Sequence, residues 1–251
     1  MSANRPFVLS IAGFDPSAGA GVLADVKTFE QHQVYGLNII TANTIQTENE
    51  FVTIQWIDLE FVINSMRLLF KKYDIKAIKI GIVPSLNYLK AIVDEVRKHS
   101  STIKIIWDTV LKSTTNFKFI SIENQSELVP ILKDIDLITP NYTEILKLLP
   151  QKTSGEDNAK ILSKHCAVLL KGGHNSEEVG TDYLFIKDEK ITLTPKTTVV
   201  AEKHGSGCVL SSAITANLAL DCDLPKSCQK AKLYIENYLN TNNTKLGYHY
   251  V

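Results

Sequence analysis

The chain has 251 residues, 44% of them hydrophobic and 22% charged, with 27 Lys+Arg against 27 Asp+Glu. Those values exclude a disordered tail and leave room for a large buried core. A formal charge of zero, with Arg5, Arg67 and Arg97 scattered, argues against a nucleic-acid surface, which needs excess positive charge to displace counterions. Cys166, Cys208, Cys222 and Cys228 show neither a C-x-x-C pair nor zinc-finger spacing with the histidines, which predicts reduced thiols and a cytoplasmic protein. The apolar run Phe7–Ala12 after Arg5 is too short for a signal peptide, and Asp15 and Pro16 follow it. Polar residues break the uncharged stretches at 31–47 and 205–220, so neither predicts a membrane span.

In chain order, Phe7–Gly13 predicts a buried strand, Ala20–Gln31 a helix and Gly36–Asn43 a second strand. Val62, Met66, Leu69 and Phe70 recur at helical spacing, and a strand over Lys76–Ile82 follows. Ser85 is placed to cap a helix whose stripe is Leu86, Leu89, Val93 and Val96, with Lys90, Asp94, Arg97 and Lys98 mainly on the other side. Strands over Thr102–Trp107, near Asp136–Thr139 and over Ala167–Leu170 come next. Repeated strand–helix–strand order requires parallel strands with helices on both faces. After Gly180, Tyr183–Ile186 and Lys190–Leu193 flank Lys187-Asp188-Glu189, which predicts an antiparallel hairpin at one sheet edge. Helices near Gly207–Leu220 and Pro225–Thr241 finish the chain. With no linker or repeat, the expectation is one α/β domain over residues 1–251, and ligands of such a sheet bind beyond the carboxyl ends of its strands.

Three groups of residues carry chemistry. Gly13-Phe14-Asp15-Pro16-Ser17-Ala18-Gly19-Ala20-Gly21 follows the first strand and opens a helix, but it is neither a P-loop nor a dinucleotide fingerprint. It reads equally as a tight turn or a binding loop, and Asp25 beyond it as a solvated helix residue or a fixed acceptor. His204-Gly205-Ser206-Gly207-Cys208 presents unpaired amides at a helix start, a cradle suited to a phosphate. There the helix potential would lower the Cys208 thiol pKa, so that it could take a proton from an attacking hydroxyl. The bland alternative is a small cysteine packing a helix. The third group stands at other strand ends: Gln46, Lys79-Ile80-Gly81, Asp108-Thr109-Val110, Asn141 with Glu144, and Lys171-Gly172-Gly173-His174. Asn141 and Glu144 could face one ligand or a hydrated Mg²⁺, or merely cap a helix.

Taken together, these motifs resemble the hydroxymethylpyrimidine/phosphomethylpyrimidine kinases of thiamine biosynthesis, a branch of the ribokinase-like superfamily. The likeness runs in the family's order through Ile11-Ala12-Gly13, Asp15-Pro16-Ser17, Gly19-Ala20-Gly21, Ala24-Asp25, Lys27-Thr28, Lys79-Ile80-Gly81, Asp108-Thr109-Val110, Leu137–Asn141 with Glu144, Lys171–His174 and His204–Cys208. Cys after Gly-x-Gly marks this branch, where sugar kinases carry Asp. The resemblance implies a three-layer α/β/α sandwich with a mostly parallel sheet and a small antiparallel edge. It implies ATP and Mg²⁺ as cofactors, a small pyrimidine as the other partner, and no membrane or nucleic-acid partner; members are often dimeric, which allows a homodimer. It assigns Gly13, Asp25, Gln46 and Val110 to the substrate and Asp108 and Glu144 to the metal. Asn141, Lys171, Gly205, Ser206 and Gly207 fall to the nucleotide phosphates, and Cys208 to catalysis. The implied reaction is phosphorylation of 4-amino-5-hydroxymethyl-2-methylpyrimidine and then of its monophosphate. Phe14, Ala18, Ile82 and Ser206 depart from common family residues, and the ending Leu246–Val251 is short. The rival expectations are a pyridoxal kinase on the same fold, disfavoured by Gln46, and a non-catalytic pyrimidine sensor, disfavoured by Cys208, Asp108 and the Gly-Ser-Gly cradle.

Overall fold

The computed structural model describes residues 5–112, 117, 119–120, 125–150, 154–174, 178–197 and 201–250. Among them nine strands form one sheet. In chain order these are β1 (Phe7–Phe14), β2 (Tyr35–Gln46), β3 (Phe51–Trp56), β4 (Ile75–Ile80), β5 (Lys104–Trp107), β6 (Leu137–Ile138), β7 (Ala167–Leu170), β8 (Asp182–Ile186) and β9 (Glu189–Leu193). Their spatial order is β3-β2-β1-β4-β5-β6-β7-β8-β9. Pairing is parallel from β2 through β7 and antiparallel at β2–β3, β7–β8 and β8–β9. The expected hairpin at the β8–β9 edge is present. The sheet also carries a further antiparallel strand, β3, at its opposite edge, and β2 extends three residues past the expected Asn43 to carry Gln46.

Alternation along the strands divides the core in two. Leu9, Ile11, Ile78, Ile80, Ile105, Trp107, Val168 and Leu170 point into one apolar layer. Helices α2 (Leu59–Lys72), α3 (Leu86–His99), α4 (Gln125–Leu132), α5 (Tyr142–Leu148) and α6 (Gly155–Leu162) cover it. Ile106, Leu137, Leu169 and Leu184 point the other way, beneath α1 (Gly21–Gln31), α7 (Ser206–Ala219) and α8 (Leu224–Leu239). The result is the expected α/β/α sandwich, and the buried side chains of α3 follow the predicted stripe with Tyr88 and Ile92 added. Ser85 caps α3 by accepting from the Tyr88 amide, and Arg97, Lys98 and His99 close it where the helix carbonyls favour cations. Helix α7 is buried nearly all round, because it packs on α1 and α8 as well as on the sheet.

Strand order reverses at β1. The chain goes from β1 to β2 on one side, then returns across the sheet through α2 to β4 on the other. Ligands of open α/β sheets settle in the crevice at that switch, beyond the strands' carboxyl ends.

Candidate active site

A cavity of about 600 Å³ runs along that carboxyl edge. Gly13, Gln46, Asp108, Val110, Asn141, Glu144, Lys171, Gly205, Ser206, Gly207 and Cys208 all line it, although they come from segments spread over 195 positions (208 − 13). Of the expected site residues only Asp25 is not among the lining.

Gly13, Thr44, Gln46 and Ile82 lie close together in the lining and mark a slot, with Val110 and Phe119 also among the lining residues. Thr44 Oγ1 donates to the Phe14 carbonyl at 2.8 Å, so it can only accept from its other neighbour, Gln46 Nε2 at 2.9 Å. That fixes which end of the Gln46 amide is nitrogen. A Cβ on Gly13 would stand 2.5 Å from Ile82 Cδ1, so glycine lets Ile82 close the slot.

Charged residues also line the cavity. Asp108 is fully buried, accepting from Thr139 Oγ1 (3.1 Å), Ser211 Oγ (3.2 Å) and Lys171 Nζ (3.3 Å). Burial alone would raise its carboxyl, but Lys171 and Lys79 outweigh that and hold it below the ordinary value. Lys171 Nζ also lies 3.8 Å from Glu144, whose carboxyl burial pushes upward. Asn141 and Glu144 form a reciprocal capping box at the start of α5, each side chain bonding the other's backbone at 2.8 Å. The capping alternative is thus realised, while both residues still face the cavity.

The cradle sits at the start of α7. Gly205 has φ +73°, and a Cβ there would stand 2.0 Å from the Gly19 carbonyl, so only glycine fits against the first loop. No side chain caps the helix, which leaves its first amides to a ligand. A Cβ on Gly207 would come 3.3 Å from Lys171 Nζ, so this glycine lets the ammonium approach the cradle. Cys208 behaves opposite to expectation. Burial pushes its thiol up to about 12, assisted by Asp108 and Asp25 and opposed by Lys79 and the Gly21 amide. The helix terminus does not offset removal from water beside two carboxylates.

Beneath the floor is a network that sequence reasoning missed. Asp25 is fully buried and accepts from Ser10 Oγ (2.5 Å), Lys79 Nζ (2.7 and 2.9 Å) and Ser212 Oγ (2.7 Å). The solvated alternative for Asp25 is corrected, since it is a fully buried, fixed acceptor, and it is not among the residues that line the cavity. The ammonium of Lys79, on the neighbouring strand opposite Ser10, saturates it. A lysine within the apolar run Ile75–Ile80 was the available signal, because a buried cation demands a partner. Asp15 likewise accepts from the Ser17 amide and hydroxyl, the Ala20 amide and His204 Nε2. Val179, Pro195, Leu210, Ile235 and Leu239 add apolar surface to the lining and Lys232 and Glu236 add charge, none of them singled out in the sequence.

A mostly parallel sheet whose carboxyl edge carries a glycine-built cradle and a buried carboxylate–lysine pair in one cavity fits a small-molecule kinase of ribokinase-like architecture. A family model described as phosphomethylpyrimidine kinase matches residues 15–251. The hydroxymethylpyrimidine/phosphomethylpyrimidine kinase of Aquifex aeolicus is 34% identical over 248 residues, covering 95% of this chain and 96% of that protein. The crystal structure of phosphomethylpyrimidine kinase from Clostridium difficile superimposes with a TM-score of 0.77 at 28% identity, over 93% of this chain and 99% of that one. The pyridoxal kinase of Staphylococcus aureus in complex with AMP-PCP reaches a TM-score of 0.82 at 23% identity, over 94% and 89%, a likeness of fold alone. The chain belongs to the phosphomethylpyrimidine kinase family, and it is a phosphotransferase. No helix among the described residues is long and apolar enough to cross a membrane.

Proposed function

We propose that the protein transfers the γ-phosphoryl group of ATP to 4-amino-5-hydroxymethyl-2-methylpyrimidine and then to its monophosphate. The observation that carries this reading is that Gln46 and the Gly205–Cys208 cradle line the same cavity. With Nε2 held by Thr44, the Gln46 amide keeps its oxygen and second N–H for the complementary edge of an aminopyrimidine. Val110 and Ile82 would flank the ring, and the apolar part of the lining suits a nucleobase.

Asp108 and Glu144 supply hard oxygen donors, and no cluster of three or more ligating side chains occurs among the described residues. That set fits Mg²⁺ held by one or two carboxylates together with nucleotide phosphates, rather than a protein-only cage. Such an ion would neutralise charge building on the phosphate oxygens. Lys171, pointed at Asp108 and adjoining Gly207, would hold the transferring group from the other side. The cradle amides would receive its developing charge. Cys208 would accept the hydroxyl proton, which requires the loaded site to draw its thiol down from the resting value; Lys79 and the Gly21 amide already act in that direction. Positioning and charge stabilisation should carry most of the rate, because phosphoryl transfer passes through a loose transition state.

The test is ADP release with ATP and Mg²⁺ on hydroxymethylpyrimidine, its monophosphate and pyridoxal in parallel. Turnover on both pyrimidines and little on pyridoxal is expected. Pyridoxal as the best substrate would overturn the role given to Gln46, and pyrimidine binding without turnover would make the protein a sensor.

A further inference from the structure

Two loops that meet beside Cys208 are joined by one hydrogen-bonded pair. Asp15 follows β1 directly and is 1% exposed; four donors converge on it, and three of them lie within its own loop at Ser17 and Ala20. The fourth is His204 Nε2, 2.9 Å away and 189 residues later in the chain. His204 immediately precedes the cradle, and its own amide donates to the Lys245 carbonyl at 2.9 Å. Its Nδ1 is buried without a partner, which fits a neutral ring with its proton on Nε2, donating to Asp15.

The two loops touch closely around this bond. The Gly19 carbonyl fills the place a Gly205 side chain would take, and a Cβ on Gly19 would fall 2.7 Å from His204 Cδ2. Asp15 holds the Ala20 amide, and the next amide, Gly21, faces the Cys208 sulfur. On the other side of the bond, His204 is four residues from Cys208. The carboxylate therefore anchors the segments that approach the sulfur from both directions.

We infer that Asp15 and His204 are a positioning pair that holds the first loop and the phosphate cradle in register around Cys208. The inference rests on the kinase reading for its effect on turnover. Both residues line the cavity, but the pyrimidine contacts fall to Gly13, Gln46 and Val110, so loss of the pair should act on kcat more than on the pyrimidine KM. A displacement of about 1 Å at a reacting group can cost about 100-fold in rate, which sets the scale expected for His204→Ala. His204→Gln, whose amide can still donate to Asp15, should recover most of that loss. Asp15→Ala combined with His204→Ala should be no slower than the worse single variant, because both remove the same bond.

A second readout needs no activity. Iodoacetamide labelling of Cys208, read by peptide mass mapping against the partly exposed Cys222, should accelerate severalfold in His204→Ala and stay near wild type in His204→Gln. A labelling ratio and kcat unchanged in His204→Ala would overturn the inference. So would a Gln variant as impaired as Ala, since packing rather than the bond would then matter. If His204→Ala fails to fold, His204→Leu against His204→Gln makes the same comparison at nearly constant volume. Wild-type protein without turnover would sink the kinase reading, while the labelling ratio would still decide the pairing.

Discussion

Cys208 and Gln46 show how differently two residues of one cavity depend on their surroundings. Gln46 owes its role to a short local chain of bonds, Gln46 to Thr44 to Phe14, which orients its amide. Replacing it by alanine should raise the pyrimidine KM about 5- to 150-fold, the equivalent of roughly 1–3 kcal/mol of lost hydrogen bonding, with kcat little changed. Cys208→Ala should do the reverse, lowering kcat by about 100-fold at nearly constant KM if the thiol is the base. Because burial holds that thiol up, near 12, its reactive form grows as pH rises. Turnover of the wild type should therefore climb between about pH 7 and 9, a slope absent from Cys208→Ala. Equal slopes in the two proteins would remove Cys208 from the proton step. The helix start suggested a lowered thiol pKa because that effect is local, whereas the burial that reverses it, assisted by Asp108 after β5 and Asp25 on α1, is built from segments far from Cys208 in the chain.

Among the elements, the helices were the most legible, since their caps and stripes are local patterns. Ser85 with its stripe, the start of α8 behind Asp223 and the glycine-opened α7 all lie where spacing puts them. β3 was not seen, because its buried and exposed residues do not alternate cleanly at a sheet edge. The end of the chain also escaped notice as a packed element. His249 Nδ1 lies 3.2 Å from Tyr234 Oη, and its ring lies 4.8 Å from that of Tyr238 on α8. Burial, with Lys27 nearby, pushes His249 down to about 4. Between its ordinary value of about 6.5 and that point, the unfolded chain binds a proton that the folded one does not, so stability falls as pH falls. His32, also lowered by burial and packed on Tyr234, adds to the same window. The melting temperature should drop from pH 7 to 4.5 in the wild type and drop less in His249→Gln. An identical drop would show that the tail histidine is not titrating in the fold.

On the scale of the whole molecule, both apolar layers press on opposite faces of one sheet, with Trp107 buried in the first and Trp56 out on β3. We expect residues 1–251 to unfold as one unit, so urea transitions by far-UV circular dichroism and by fluorescence of a Trp107→Phe variant, which reports Trp56, should coincide. Separate midpoints would mean that the β2–β3 edge opens independently. The sequence by itself determined the order of the elements other than β3, the parallel sheet, and the glycine-rich loops at its carboxyl edge. These depend on periodicity and on backbone freedom within a few residues. Only the tertiary structure decided that Asp25 is buried against Lys79. It also decided that Asp15 answers to His204, and that Cys208 keeps its proton in the resting site. A charge is governed by what water it loses and which distant groups replace that water, and 54 residues separate Asp25 from Lys79 in the chain while 2.7 Å separates them in the fold.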